Sequence, residues 1–224
     1  MDNRPERRII MIKNNKIKII ISSIIILLPI IAGLILWQSI PDKIAVHWNI
    51  NNEADNYAGK YFAVFGLPLI ILGIHLLCIL GTALDKRNKD QNKKVFGLVF
   101  WISPCVSLFG GLVIYSHALG KALDVGLLTL ILLGLMFIIV GNYLPKCKKN
   151  YTIGIKLPWT VNNEAVWNKT HRFGGIIWVI GGILMLITAF LPGNIMPIML
   201  IAVLVLILVI PTVYSYVIYR NLRR

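Results

Sequence analysis

The sequence is poor in charged residues, and acidic residues are especially few. Only 14% of its 224 residues are charged and 57% are apolar, whereas a soluble domain has about 25% charged and about 45–50% apolar residues. This composition excludes an ordinary soluble domain and predicts a membrane protein. The net charge is +14, from 23 basic and 9 acidic residues. Because no nucleic-acid recognition motif accompanies that charge, we predict no direct binding of nucleic acid.

Cysteine and histidine are also scarce, with three and four residues. Cys78 and Cys105 lie inside apolar runs, and Cys147 lies in a basic loop. An odd count without ligand spacing argues against a disulfide framework and against a metal site. The sequence also lacks a nucleophile beside a base, a zinc-binding His-Glu-x-x-His motif and a Gly-rich phosphate loop. We therefore predict that the chain is not an enzyme, with no catalytic residue, no cofactor and no metal.

Long apolar runs, in contrast, are abundant. A transmembrane helix needs about 20 mostly apolar residues, and six stretches of the sequence meet this requirement. They are residues 19–40, 62–84, 95–119, 122–144, 173–191 and 195–219. The sequence thus predicts an all-α fold, a polytopic membrane bundle of six transmembrane helices.

Basic residues are distributed unevenly among the connections between these spans. Twenty Lys and Arg residues fall in segments 1–18, 85–94, 145–172 and 220–224, and three fall in 41–61, 120–121 and 192–194. Lys and Arg accumulate in cytoplasmic loops. Both chain termini are therefore predicted to be cytoplasmic.

We divide the chain accordingly into three parts. A basic cytoplasmic N-terminal segment at 1–18 precedes spans one to three, which occupy 19–119 and include an extracytoplasmic loop at 41–61. Spans four to six occupy 120–224 and include a cytoplasmic loop at 145–172. We call residues 41–61 the outer loop and residues 145–172 the inner loop.

Glycines recur at intervals of seven inside three of the spans. The pairs are Gly66 and Gly73, Gly134 and Gly141, Gly174 and Gly181, and Gly175 and Gly182. Small residues at this spacing lie on one helix face and predict close helix packing in lipid.

His75 lies near the middle of the second span. An ionisable side chain at this depth is a candidate functional group, so His75 is our intramembrane polar candidate. The other interpretation is a neutral histidine that is hydrogen-bonded to a neighbouring helix.

The two loops are rich in polar groups and share a short sequence. The outer loop contains HWNINNEADNYAGK and the inner loop contains PWTVNNEAVWNKTHR. Both include Trp-x-x-Asn-Asn-Glu-Ala, which indicates either an inverted repeat of three helices, a plan common in transporters, or a coincidence of common residues. Within the inner copy, Asn162 is the expected N-cap of a short helix.

At these loops the sequence resembles the SdpI family of bacterial membrane proteins. The outer stretch IPDKIAVHWNINNEADNYAGK is similar to a short module of unassigned function in that family. Asn52 stands where the family usually has glycine, and asparagine also adopts the left-handed turn conformation. The residues that fit the module are Pro41, Ile44, His47, Asp55 and Lys60.

The inner stretch GNYLPKCKKNYTIGIKLPWTVNNEAVWNKTHRFGG resembles the more specific signature of the family. Lys156 and Leu157 replace the usual Arg-Thr pair, and lysine keeps the charge but loses the planar hydrogen-bonding fork of arginine. The residues that fit are Gly141, Asn142, Asn150, Gly154, Ile155, Pro158, Trp159, Thr160, Trp167, Thr170, His171 and Gly174.

The resemblance implies a membrane immunity protein and receptor that gives resistance to a secreted toxic peptide. The outer loop would recognise the toxin through Pro41, His47, Asp55 and Lys60. The inner loop would hold a cytoplasmic repressor of the ArsR type at the membrane. Candidate residues for that contact are Asn150, Gly154, Lys156, Pro158, Trp159, Thr160, Trp167 and His171.

The expected location is the bacterial cytoplasmic membrane, with anionic lipids as further partners. Cations that stand beside Tyr and Trp in the inner loop suit the anionic inner leaflet. A small multi-helix transporter or efflux element is the alternative function. Six spans and His75 favour it, but the spans supply almost none of the buried acidic residues usual in proton-coupled transport.

Overall fold

The computed structural model describes residues 12–193 and 195–223, so residues 1–11 of the predicted basic segment lie outside the described part. A π-helical turn at Phe62–Gly66 precedes the second helix, and 3-10 turns lie at Lys86–Asp90 and Leu144–Lys146. The α-helices and strands are α1 (Lys16–Ile35), β1 (Lys43–Trp48), β2 (Ala54–Gly59), α2 (Leu67–Leu84), α3 (Lys93–Ala118), α4 (Val125–Tyr143), α5 (Pro158–Asn162), α6 (Glu164–Thr188) and α7 (Met196–Asn221).

Six of these helices confirm the predicted spans. Within residues 12–193 and 195–223, all the α-helices except the short α5 are long and apolar enough to cross a membrane. Two boundaries differ from the prediction. Helix α6 begins at Glu164, before its apolar run, because Asn163 caps it. Helix α1 ends at Ile35, and the residues that follow form turns that lead to Pro41. The helical conformation is disfavoured for the residue that precedes a proline.

The helices form two compact units, which we describe separately. Unit 1 contains the chain up to Leu84 together with Gly97–Val125. Unit 2 contains Asp85–Phe96 together with Gly126–Arg224. The outer loop therefore belongs to unit 1, and the inner loop belongs to unit 2.

In unit 1, Pro29 interrupts the hydrogen bonds of α1, because proline has no N–H and its ring disturbs the preceding turn. Helix α3 supplies two hydroxyl groups at this place. Ser107 Oγ donates to Ile26 O at 2.7 Å, and Tyr115 Oη donates to Pro29 O at 2.8 Å. Since an unsatisfied backbone group is costly in lipid, these two bonds hold α3 against the disturbed part of α1.

In unit 2, glycines repeated at intervals of seven bring the backbones of α4 and α6 together. A Cβ added at Gly134 would lie 2.9 Å from Gly182 O, and one added at Gly182 would lie 2.6 Å from Gly134 O. Gly141 and Gly175 form a second reciprocal pair, with distances of 2.8 and 2.7 Å. Gly134 precedes Gly141 along α4, whereas its partner Gly182 follows Gly175 along α6. The two helices therefore pack antiparallel, and there is no room for side chains at these positions.

The glycine repeat of the second span has a different role. Gly73 is exposed, and a Cβ added there would have no atom within 4 Å among the described residues. At Gly66 the nearest atoms belong to Phe62 of the preceding turn. The prediction of glycine-mediated helix packing is therefore confirmed for α4 and α6 and wrong for α2.

Gly182→Ala is expected to destabilise the protein by about 1–3 kcal/mol, the usual cost of overpacking. The added methyl group would press on the Gly134 carbonyl, which belongs to the α4 backbone and cannot rotate away. The measurement is the midpoint of thermal unfolding in detergent micelles. Gly73→Ala is the matched control, because alanine there meets open space and gains about 1 kcal/mol of helix propensity. Equal midpoints for the two variants would contradict the packing of α4 on α6.

Candidate functional site

The outer loop folds as a β-hairpin, which we call the outer hairpin (residues 41–60). Its strands pair antiparallel, and the register becomes irregular around His47. Ile44 of β1 is 1% exposed and packs in an apolar cluster with Ile40. The Trp48 ring lies edge-on to His117 of α3, with ring centres 5.4 Å apart. Strand β1 therefore fixes the hairpin to unit 1, while most of β2 is exposed.

Asparagine side chains shape the tip of the outer hairpin. Asn49 Oδ1 accepts two backbone N–H groups of the turn, at 2.9 and 3.0 Å. Asn52 has a φ of 62°, which confirms the left-handed conformation expected for it. Asn52 Nδ2 donates to Leu123 O at 3.1 Å, and its Oδ1 accepts the Val125 N–H at 2.8 Å. Leu123 and Val125 both belong to unit 1, so Asn52 joins the tip of the hairpin to the end of the connection that follows α3.

The four predicted recognition residues of the outer hairpin differ in exposure and in partners. His47 Nδ1 lies 2.6 Å from Asp55 Oδ1, and the two side chains are 64% and 41% exposed. Lys60 points to the base of the hairpin, where its Nζ donates to Ile40 O at 2.9 Å. Pro41 is exposed at the start of the hairpin. The pair of His47 and Asp55 is thus accessible to a partner, whereas Lys60 closes the hairpin.

Asn150 organises the first part of the inner loop. Its side chain is fully buried. Asn150 Nδ2 donates to Lys148 O at 2.8 Å and to Ile153 O at 2.9 Å. Asn150 Oδ1 accepts the N–H groups of Thr152 at 2.8 Å and of Ile153 at 2.6 Å. One amide side chain therefore satisfies four backbone groups that a strand or helix would otherwise pair.

Trp167 and His171 of α6 form the buried wall of the inner loop. Trp167 Nε1 donates to Cys147 O at 2.8 Å, and its ring stacks on His171 with centres 3.9 Å apart. His171 Nε2 accepts the Ile155 N–H at 3.0 Å, so His171 Nδ1 carries the proton and donates to Trp167 O at 2.9 Å. Gly154 has a φ of 114°, and a Cβ there would collide with His171 Nε2. The loop conformation at Gly154 therefore depends on the absence of a side chain.

The short helix α5 contains Pro158, Trp159 and Thr160. Pro158 is exposed at the first helical position, where its missing N–H has no helical partner to lose. Thr160 is buried, and its Oγ1 accepts the backbone N–H of the residue before α5 at 2.9 Å. Trp159 Nε1 donates to Ser215 Oγ of α7 at 2.8 Å. This bond attaches α5 to α7.

The sequence argument missed the connection between α2 and α3 as a part of the inner site. Asp85 Oδ2 accepts the Tyr151 N–H at 2.6 Å, and Gln91 binds both the N–H and the carbonyl of Lys148 at 3.0 and 3.1 Å. Arg87 Nη1 donates to a carbonyl of α5 at 2.9 Å, and its guanidinium lies 4.0 Å from the centre of the Tyr151 ring. The sequence feature that could have indicated this role is the presence of two hydrogen-bonding residues, Asp85 and Gln91, in a basic segment.

His75 lies fully buried in α2 of unit 1. Its Nε2 lies 2.8 Å from Ser22 Oγ of α1, and the Ser22 hydroxyl donates to Ile19 O at 3.0 Å. His75 Nδ1 has no hydrogen-bond partner among the described residues. The hydrogen bond to a neighbouring helix is therefore present, and a functional role for His75 stays a prediction.

No group of three or more His, Cys, Asp or Glu side chains is placed to hold a metal ion in the part of the chain that the structure describes. The exposed His47–Asp55 pair supplies two such groups. A stable site for a transition metal usually needs three or four ligands from the protein.

Comparison with known proteins matches the two loops to two different family models and most of the chain to one relative. Residues 146–215 match the SdpI/YfhL protein family, and residues 24–72 match a domain of unknown function (DUF1648). Immunity protein SdpI of Bacillus subtilis (strain 168) is 29% identical over 208 residues, which cover 92% of this chain and 97% of that protein. Over most of its length the chain is therefore similar to an SdpI immunity protein. No solved structure matches it significantly.

The six apolar helices and the similarity to Immunity protein SdpI make the chain a multi-pass protein of the bacterial cytoplasmic membrane. The predicted inner-loop residues fall into two groups. Lys156 and Pro158 are exposed, and Trp159 is partly exposed. The others make contacts within the loop and its wall: Asn150, Gly154, Thr160, Trp167 and His171. A partner can touch the first group directly, whereas the second group determines the shape of the loop.

The shared Trp-x-x-Asn-Asn-Glu-Ala has two different conformations in this protein. In the outer hairpin it forms the tip, where Asn52 is left-handed. In the inner loop it joins α5 to α6, and Asn163 is the N-cap, with Oδ1 accepting the Val166 N–H at 3.1 Å. Asn162, the predicted cap, instead donates from its side chain to Pro158 O at 2.9 Å. The two copies of the motif therefore have no common structural role.

Cys147 provides a test of the packing of the inner loop. Burial raises the pKa of its thiol to about 11, although hydrogen bonds from Asn150 and Gln91 lower the pKa in part. The thiolate is the reactive form, so a rise of about two units lowers the reactive fraction at neutral pH about a hundredfold. With Cys78→Ser and Cys105→Ser in place, we expect Cys147 to react with a water-soluble maleimide far more slowly than an exposed thiol. Rapid labelling of Cys147 in the folded protein would contradict its burial.

The same reagent tests the predicted orientation when a membrane-impermeant form is used. Tyr57 and Lys148 are exposed on the outer hairpin and the inner loop, so each supplies a comparison thiol when Cys147 is also replaced by serine. We expect Tyr57→Cys to be labelled in intact cells and Lys148→Cys only after the cells are permeabilised. Labelling of Lys148→Cys in intact cells would overturn the orientation.

Proposed function

We propose that this chain protects a bacterial cell from a secreted toxic peptide and passes the signal to a cytoplasmic repressor of the ArsR type. The observation that carries the proposal is the 29% identity to the Bacillus subtilis immunity protein over 92% of the chain. Immunity is what the name of that protein states. The family matches at 24–72 and 146–215 include the outer hairpin and most of the inner loop, so both proposed contact surfaces lie in related sequence.

The outer hairpin supports recognition of a peptide through its exposed side chains. The His47–Asp55 pair offers hydrogen-bonding groups that are fixed relative to each other at 2.6 Å. Ile50 at the tip is 81% exposed, and Tyr57 of β2 is 53% exposed. Specific protein contacts combine apolar anchors, often aromatic, with a polar rim. The hairpin presents both kinds of group within a short segment.

The inner loop supports docking of the repressor through a basic exposed surface. Lys156 and Pro158 stand next to each other at the start of α5, and Lys146, Lys148 and Arg172 are exposed in the same loop. A positive surface of this kind fits an acidic patch on the repressor. Anionic lipid headgroups have the same charge and would compete for it. The buried contacts of Trp167 and His171 support the proposal by holding the loop in one shape.

Control of the repressor by the peptide requires that the peptide bind one conformation of the protein better than another. A tenfold change in repressor affinity needs about 1.4 kcal/mol of coupling. A single hydrogen bond contributes about 0.5–1.5 kcal/mol, so the bond from Trp159 to Ser215 is of the right size. We infer that a change in the contact between α5 and α7, where Trp159 also packs on Tyr216 and Tyr219, alters repressor binding.

Transport or efflux is the alternative function, and His75 is the observation that favours it. A buried imidazole nitrogen without a partner among the described residues is a place where a proton or a polar solute would bind. Flux through proteoliposomes that is lost in His75→Ala, with resistance to the toxic peptide unchanged, would favour transport over immunity.

We expect the double variant His47→Ala and Asp55→Ala to be about tenfold more sensitive, measured as the peptide concentration that reduces growth by half. A tenfold change corresponds to the loss of an interface contact of about 1.4 kcal/mol. Both side chains are exposed, so the buried anchor Ile44 is untouched and the amount of protein in the membrane should not change. The measurement is growth of a sensitive strain that expresses each variant, over a dilution series of the peptide. Lys43→Ala is the control, because it also removes an exposed ionisable side chain of β1. Unchanged resistance in the double variant would contradict a role of this pair in recognition of the peptide.

Lys156→Glu is expected to weaken capture of the repressor about tenfold and to leave resistance unchanged. Reversal of this charge places repulsion in the centre of the proposed docking surface, because glutamate would face the acidic patch of the repressor, and like charges at an interface cost up to several kcal/mol. The measurement is the fraction of a tagged repressor, encoded beside the gene for this chain, that sediments with inverted membrane vesicles.

Lys94→Glu is the matched control for this experiment. Lys94 is exposed at the start of α3 in the same unit, and its reversal gives the same change in net charge. Equal losses of repressor from the two variants would mean that total charge, and not the inner loop, determines capture.

A further inference from the structure

Helix α3 belongs to both units of the protein. It runs as one α-helix of 26 residues from Lys93 to Ala118. Its first residues, up to Phe96, fall in unit 2, and the rest of the helix, from Gly97 onward, falls in unit 1. At about 1.5 Å per residue, a helix of this length extends over about 39 Å, more than the hydrocarbon core of about 30 Å. One continuous element therefore has one end in each unit.

The last turns of α3 pack against the outer hairpin. His117 lies edge-on to Trp48, with ring centres 5.4 Å apart. Ile114 and Tyr115 are 8% and 6% exposed and share an apolar cluster with Ile44 of β1. Because closely packed side chains leave few voids that could absorb a displacement, a shift of β1 would act on this end of α3.

The first turn of α3 packs against the inner loop. Val95 is 1% exposed and belongs to an apolar cluster with Cys147 and Trp167. Gln91, in the connection that leads to α3, binds the N–H and the carbonyl of Lys148 at 3.0 and 3.1 Å. This end of α3 is therefore held against Trp167, which is part of the buried wall of the inner loop.

The middle of α3 contains a place where the helix bends easily. Ser107 and Tyr115 bind carbonyls of α1 and hold the part of α3 near the hairpin. Pro104, on the other side of these bonds, lacks the N–H that would donate to the carbonyl four residues earlier, so bending costs least there. The bend at Pro104 is thus a variable that contacts at both ends of α3 can bias, which is what coupling between two sites requires.

We propose that α3 transmits a change in the outer hairpin to the inner loop, with His117 and Val95 as the positioning residues at its two ends. The inference rests on the proposed function and names the element that carries its signal. Val161 of α5 packs against the cluster of Val95, so a displacement of Val95 would reach the short helix that begins beside the exposed Lys156.

Cys147 reports on the inner-loop end of α3 without any ligand. It is 4% exposed and lies in the same cluster as Val95. With Cys78→Ser and Cys105→Ser in place, the rate at which a water-soluble maleimide labels Cys147 measures how readily this cluster opens. The measurement uses the full chain in membrane vesicles.

We expect His117→Ala to raise the labelling rate of Cys147 at least about fivefold, the lower end of the usual range for coupling between sites. The variant removes the ring contact with Trp48 at the opposite end of α3. Ser22→Ala is the matched control, because it removes a hydrogen bond between α1 and α2 in the same unit. An unchanged rate in His117→Ala, or an equal increase in Ser22→Ala, would overturn the proposal.

A double-mutant cycle tests whether α3 carries the effect. Val95→Ala loosens the reporter cluster directly, so His117→Ala should have little further effect in that background. Val106→Ala is the matched background, because Val106 is a valine of α3 that is 40% exposed, and there the effect of His117→Ala should persist. The same factor in both backgrounds would mean that the two ends are independent and would overturn the proposal.

Two further arrangements keep the outcome decisive. Trp48→Leu removes the same ring contact from the side of the hairpin and takes the place of His117→Ala if that variant does not accumulate in the membrane. The labelling needs neither the toxic peptide nor the repressor. Independent ends of α3 would therefore leave the immunity function intact, whereas a lack of protection by the unaltered chain would overturn immunity and leave the measured coupling as it is.

Discussion

Backbone N–H and C=O groups that lose contact with water must bind other protein groups, because each one left unsatisfied in an apolar medium costs several kcal/mol. The straight parts of the six long helices meet this requirement within themselves. The irregular parts meet it through side chains: Ser107 and Tyr115 bind the carbonyls near Pro29 in α1. Asn150 alone serves four backbone groups of the inner loop. These side-chain bonds determine where the exposed residues of each loop stand.

The six helices were predictable because a long apolar run in lipid leaves its backbone few alternatives to a helix. The hydrophobic run does not show the start of α6, since that helix extends into polar sequence, and its N-cap is the second of two adjacent asparagines, Asn162 and Asn163. The strands of the outer hairpin were not predicted, because the alternation of polar and apolar residues along them is weak. Partners such as Asp85 and Gln91 escaped prediction, since hydrogen bonds between residues 57 or 66 apart leave no local pattern.

The family resemblance identified the inner-loop residues without separating contact from shape. Gly154 and His171 are a fitted pair in which a side chain at Gly154 would collide with the imidazole. Lys156, which replaces the usual arginine, is exposed, and its Nζ binds Thr152 O at 3.1 Å. Lysine makes that single bond as a point charge, whereas arginine would present a planar fork to a carboxylate. The replacement of arginine by lysine affects which partner the exposed surface can bind. The contact between Gly154 and His171 instead maintains the conformation of the loop.

The bond between Asp85 and Tyr151 joins residues 66 positions apart within unit 2. A ribosome adds about 5–20 residues per second, so Asp85 leaves it about 3–13 seconds before Tyr151. During that interval the Asp85 carboxylate lacks its native partner, while the residues of α3 and α4 are being synthesised. The connection between α2 and α3 is thus made early and reaches its final hydrogen bonds late, and a nascent chain stalled before residue 151 would leave Asp85 without the Tyr151 N–H.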